Sequence, residues 1–186
     1  MEPRYRIAVS ATASVLFIVY VFVAGLTTIG RHLLVIGIFR FLLLPAFRIA
    51  TDLAQGRAPA RVGWWLGVAG ALLTFAGGLG VMVGYGPNFD PLAGDSPAGW
   101  PPYAIGAGAA LFMLGTILCG VALLRAGHRA VGAVALLAGL SFVGAGVADP
   151  ALGHVIWAAA WLLFCAMLWR NESTKGSVPS ARTLEA

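Results

Sequence analysis

Five stretches of this chain run for 19 to 23 residues without an Asp, Glu, Lys or Arg: 7–29, 62–84, 103–124, 130–148 and 151–169. A bilayer core about 30 Å thick is crossed by roughly 20 residues of helix. A soluble helix must keep a polar stripe for water, and these runs keep none. In hydrocarbon every backbone polar group needs an internal partner, which forces helices. A transmembrane β-barrel would show apolar–polar alternation over about ten residues, and the runs do not alternate. The expected fold is all-α, a polytopic transmembrane helical bundle forming one domain over 1–169.

Composition agrees. The chain of 186 residues is 60% hydrophobic and 10% charged, where an ordinary soluble domain is about a quarter charged. A disordered chain, a nucleic-acid-binding module and a disulfide-stapled domain are thereby excluded. Cys119 and Cys165 both lie inside apolar runs and read as small packing residues.

A sixth segment, 33–50, is apolar on all sides but carries Arg40, Pro45 and Arg48. An Arg at mid-bilayer costs about 2.5–3.5 kcal/mol on insertion scales. About a dozen Leu, Ile, Val and Phe at roughly −0.3 to −0.6 kcal/mol each outweigh one such cost. Six spans are therefore expected, with a helix lying in the interface as the five-span alternative. Arg48 is near enough to one end to snorkel. Arg40 either caps carbonyls freed near Pro45 or sits in the interface.

Charge gives orientation. The segment 85–102 holds Asp90 and Asp95 and no Lys or Arg, whereas Arg57, Arg61, Arg125, Arg129, Arg170, Lys175 and Arg182 sit on alternate connections. The positive-inside rule puts the basic segments and both termini in the cytoplasm, with Arg31 as the one violation. The basic start and long first run read as a retained helix, not a cleaved signal. Residues 170–186 read as a disordered cytosolic tail. Arg-rich, Lys-poor usage points to a prokaryotic plasma (inner) membrane.

Lipid offers no hydrophobic drive for helix pairing, so small residues must let backbones approach. Gly63, Gly67, Gly70, Thr74, Gly77, Val81 and Gly84 follow alternating steps of four and three, one continuous seam along a helix. Similar stripes are Gly132, Ala135, Gly139, Phe142 and Gly146, and Gly108, Phe112, Gly115, Cys119 and Ala122. Such seams serve packing within the chain, or a homo-oligomer or membrane partner subunit. Trp64, Trp65, Trp100 and Trp169 suit an aromatic belt, while Trp157 and Trp161 lie deeper and read as packing.

Candidates for chemistry are few. No acid lies mid-span, and no catalytic or phosphate-binding motif occurs. No catalytic residue, cofactor or metal is expected. His32 and His154 are the one His pair placed near a common outer face. Ser141, Thr74 and Thr116 have no base in view. Arg40 and Arg48 are the sharpest intramembrane feature, since guanidinium takes phosphate or carboxylate in a fork; an anion or lipid head group is the ligand they would suit. A second polar group gathers Asn88, Asp90, Asp95, Asp149 and His154 on the outer face, where the Pro-rich stretch 85–103 could form an ordered cap. Three functions follow in order: a non-catalytic accessory or partner-binding subunit, a small transporter or carrier using Arg40 and Arg48, and an intramembrane enzyme.

Overall fold

The computed structural model describes residues 2–24, 29–86, 99–145 and 150–175. It contains six helices: α1 Pro3–Ala24, α2 Ile29–Leu53, α3 Ala58–Tyr85, α4 Trp100–Arg125, α5 Arg129–Ala145 and α6 Pro150–Lys175. Five are long and apolar enough to cross a membrane, and α5 is shorter within its described part. The protein is a multi-pass membrane helical bundle. Helix α6 runs through Lys175, into the segment expected to be tail.

The helices form a ring in sequence order, each packing on the next, and α1 closes the ring against α6. Neighbours are antiparallel. Ser10 and Phe17 of α1 meet Leu42 and Phe39 of α2, and Gly63 and Gly70 of α3 face Gly115 and Gly108 of α4. Helix α2 also reaches α4 and α6. It is thus the central helix, not one lying in the interface. Most of its buried positions fall on two adjacent seams, His32, Ile36, Phe39, Leu43, Ala46, Ala50 and Leu53 on one and Arg40 and Phe47 beside them, while Gly37, Ile49 and Thr51 are buried on other sides. A helix touched from several sides must be apolar on several sides, which is the pattern 33–50 shows.

Pro45 lies inside α2 and removes one backbone donor. The neighbouring rung is bridged from α1. The Ser10 hydroxyl donates to the Leu42 carbonyl at 2.7 Å and accepts from the Ala46 amide at 3.2 Å. Of the two placements expected for Arg40, capping carbonyls near Pro45 or lying in the interface, the second does not hold, since Arg40 is buried and donates to Thr74; the contact described beside Pro45 is the Ser10 hydroxyl of the adjacent helix.

The α3–α4 interface is the most extensive. A methyl group added at Gly70 would sit 2.5 Å from the Phe112 amide nitrogen and 2.6 Å from the Gly108 carbonyl oxygen. At Gly63 it would meet the Gly115 carbonyl at 2.6 Å, and at Gly77 the Pro101 carbonyl at 2.7 Å. Gly67 instead makes room for the Phe47 ring of α2. The stripe on α4 is the complement of this seam: Gly108, Phe112, Gly115, Cys119 and Ala122 are all buried. Gly132 and Gly139 pack α5 on α4; of that stripe, the Phe142 side chain and Gly146 lie outside the described residues. Gly84 does not belong to the seam, because nothing lies within 4 Å of a methyl group placed there. At its depth α3 has run past the end of its partner's packed face.

Two alanine substitutions separate seam from surface. Gly70→Ala should lower stability by about 2–3 kcal/mol, since rigid backbone atoms would have to move. Gly84→Ala should be neutral or slightly stabilising, because Ala is the better helix former by up to about 1 kcal/mol. Thermal unfolding in mild detergent reads both.

Candidate functional site

Arg40 is the twelfth residue of the 25 in α2 and is only 1% exposed. It lies near mid-helix, about 17 Å of helix from one end and about 20 Å from the other. Three other helices converge on it. Its Nη1 donates to the Thr74 hydroxyl of α3. Its guanidinium carbon lies 5.5 Å from the Phe112 ring centroid of α4 and 5.4 Å from that of Trp157 of α6. Cation–π contacts contribute about 2 kcal/mol or more when desolvated, which offsets much of the cost of placing Arg at this depth. Thr74 in turn donates to the Gly70 carbonyl at 2.8 Å. A methyl group at Gly108 would lie 2.5 Å from the Thr74 hydroxyl oxygen. The glycine seam therefore also makes the space in which Thr74 holds Arg40.

Arg48 is placed differently. It is 49% exposed, pairs with Asp52 one turn on at 3.3 Å, and lies 5.7 Å from the Trp64 centroid. Such an exposed pair contributes at most about 1 kcal/mol. No described contact brings Arg40 and Arg48 to a common ligand.

The other hydroxyl candidates bond their own helices. Thr116 donates to the Phe112 carbonyl at 2.8 Å and Ser141 to the Ala138 carbonyl at 3.1 Å. Cys119 and Cys165 are buried and reduced. Asn88, Asp90, Asp95 and Asp149 lie outside the described residues, as does most of the stretch expected to form a cap. His154 is described, and its ring lies 4.8 Å from that of His32, centroid to centroid.

An aromatic column links these places. Phe17 stacks on Phe39 at 4.4 Å, Phe39 meets Trp157 edge-on at 5.1 Å, and Phe112 continues to Trp161 at 5.8 Å and so to Phe164 at 5.3 Å. The sequence carried a signal for it that composition hides: His154, Trp157, Trp161, Phe164 and Leu168 step by three and four along α6, the same spacing as the glycine seam. Trp65, Trp100 and Trp169 are exposed near helix ends, as belt residues should be.

One open cleft among the described residues was missed altogether. It holds about 500 Å³ and is lined by Pro3, Arg6, Asp52, Gln55, His128 and Glu172, with Ile49 and Leu53 at its floor. These residues come from four separate places in the chain. Asp52 ends α2. Gln55 follows in a left-handed conformation, φ 55°, which a non-glycine residue adopts at some cost. His128 is set by the end of α4. Gly127, φ 88°, donates to the Leu124 carbonyl and His128 to that of Leu123, a Schellman closure. Arg6 and Glu172 come from α1 and α6. At the same end of the bundle are the exposed Arg4, Arg48, Arg57, Arg61, Arg125, Arg129 and Arg170. Antiparallel packing gathers them at one basic end; Arg31 is at the other. Three further clefts are mainly apolar and lie on the sides or the opposite end of the bundle.

No protein-family model, curated protein or solved structure matches this chain.

If Arg40 serves the fold, its partner is the sensitive residue. Thr74→Val should cost about 1.5–3 kcal/mol, the range for losing a hydrogen bond to a charged group. The same change in an Arg40→Met background should cost far less, because no buried charge then lacks its acceptor. Thermal unfolding of the four proteins of the cycle measures the coupling.

Proposed function

We propose that the protein is a non-catalytic accessory subunit of a prokaryotic plasma (inner) membrane that binds a polypeptide partner through its basic end. The observation that carries this is a division of labour among polar side chains. At membrane depth, Arg40, Thr74, Thr116, Ser10 and Ser14 are engaged within the fold. At the basic end, Arg6, Asp52, Gln55, His128 and Glu172 converge on an open cleft. A cleft offering both signs of charge and amide groups suits a polar peptide segment. The positive-inside rule puts this end, and the C-terminus, in the cytoplasm. The partner is another membrane subunit or a second copy of this chain, and the lipid bilayer surrounds the remaining helix faces.

A carrier working through Arg40 and Arg48 needs a path that reaches Arg40. None of the four clefts is lined by Arg40, and Arg48 has its own neighbours. An intramembrane enzyme needs a base beside a hydroxyl or thiol. Thr74, Thr116 and Ser141 instead donate to carbonyls one turn back.

Photo-crosslinking in native membranes tests the proposal. A crosslinking residue at Gln55 should give one discrete protein adduct, reduced several-fold by Asp52→Asn. The same residue at Leu72, which faces outward on α3, should give none. Recovery of the chain as a lone monomer by native mass measurement, with no adduct from Gln55, would count against it.

A further inference from the structure

At the end opposite the basic cleft, His32 near the start of α2 and His154 near the start of α6 come together across 121 residues of intervening chain. We infer that these two imidazoles form a binding site for a tetrahedral divalent transition-metal ion of the zinc type.

His32 is 5% exposed, and neither its Nδ1 nor its Nε2 has a hydrogen-bond partner among the described residues. Its ring is surrounded instead by rings: Phe17 at 6.0 Å, Tyr20 stacked at 5.8 Å and His154 at 4.8 Å. A buried imidazole with no partner for either nitrogen is an uncommon arrangement, because buried polar groups are nearly always satisfied. Neutral imidazole is the commonest metal ligand, and an apolar surround keeps it neutral.

Ring separation selects the kind of ion. With metal–nitrogen bonds of about 2.0–2.1 Å, each ring centroid lies about 3.1 Å from a shared ion. Two imidazoles on a tetrahedral ion are then about 5 Å apart, and two on a linear ion about 6 Å. The rings meet edge-on, with planes at 84°, and their 4.8 Å separation is close to the tetrahedral spacing and shorter than the linear one. A linear two-coordinate cuprous ion is therefore the poorer fit. Among the described residues no group of three or more His, Cys, Asp or Glu could hold a metal. The two remaining coordination positions are left to water or an external ligand, which reaches the pair from the side of His154, only half-buried. The pair rests on the aromatic column through Phe17, which touches both rings and also Trp157, so the two helices that carry it are held at fixed spacing.

Cobalt(II) titration of the full chain in detergent tests the site, after treatment with a chelator. One Co²⁺ per chain should bind with the visible absorption of a tetrahedral complex, and Zn²⁺ should displace it. His32→Phe keeps the aromatic packing and should weaken binding by at least about tenfold; His154→Phe should do the same. His128→Ala, at the far end of the bundle, should leave the titration unchanged. Thermal unfolding separates lost ligands from lost fold. The wild type should be stabilised by Zn²⁺, whereas a folded His32→Phe variant should not respond. Absence of the absorption band in the wild type would overturn the inference. So would a band that survives both Phe substitutions in folded protein, or one that His128→Ala removes.

Discussion

The close approach of α3 to α4 is the contact on which the rest of this bundle leans. In lipid, two apolar helices gain nothing from excluding water, so they stay together through dispersion and backbone proximity. Gly70 facing Phe112 and Gly108, and Gly63 facing Gly115, bring the two backbones to distances that no side chain permits. That proximity places Thr74 where it meets α2, and Thr74 meets α2 at Arg40. One geometric fact therefore serves two purposes. It binds a helix pair, and it builds the polar contact that lets a charged side chain occupy the middle of the fold.

Arg40 then explains why α2 is central. A guanidinium at this depth is tolerable only where protein, not lipid, surrounds it. The surround comes from three helices: a hydroxyl from α3 and ring faces from α4 and α6. Ser10 of α1 adds a fourth contact to α2 at Leu42 and Ala46, beside Pro45. Features that weaken a transmembrane span taken alone, an Arg and a Pro, each meet specific side chains of neighbouring helices. The segment that looked least like a span is the one the others are arranged around.

The two ends of the molecule differ in chemistry as well as charge. At the basic end, helix termini and tight turns present carboxylates, an amide and an imidazole to an open cleft, and exposed arginines share that end. At the other end, the His32 imidazole is enclosed among rings and meets the half-buried His154. Between them lie the aromatic column, the Arg40–Thr74 pair and hydroxyls of Ser10, Ser14, Thr51 and Thr116 bonded to carbonyls of the helices. A fold built this way is suited to holding things at its ends and to keeping its middle closed.

Residue order alone determined that the chain crosses a membrane as helices, roughly where each span lies, and that small residues at seven-residue spacing pack it. Those properties depend on local run length and periodicity, which lipid enforces one helix at a time. Side-chain placement was a different matter. Arg40 and Arg48 look alike in sequence, yet one is enclosed by three neighbouring helices and the other pairs with Asp52 at the surface. Gly84 continues the glycine spacing but faces open space. Asp52, His128 and Glu172 are far apart along the chain, and His32 is 122 positions from His154. Only the closing of the ring, α1 against α6 with α2 drawn inside, decides which of these meet. That choice depends on how all six helices pack at once, and no local stretch of residues contains it.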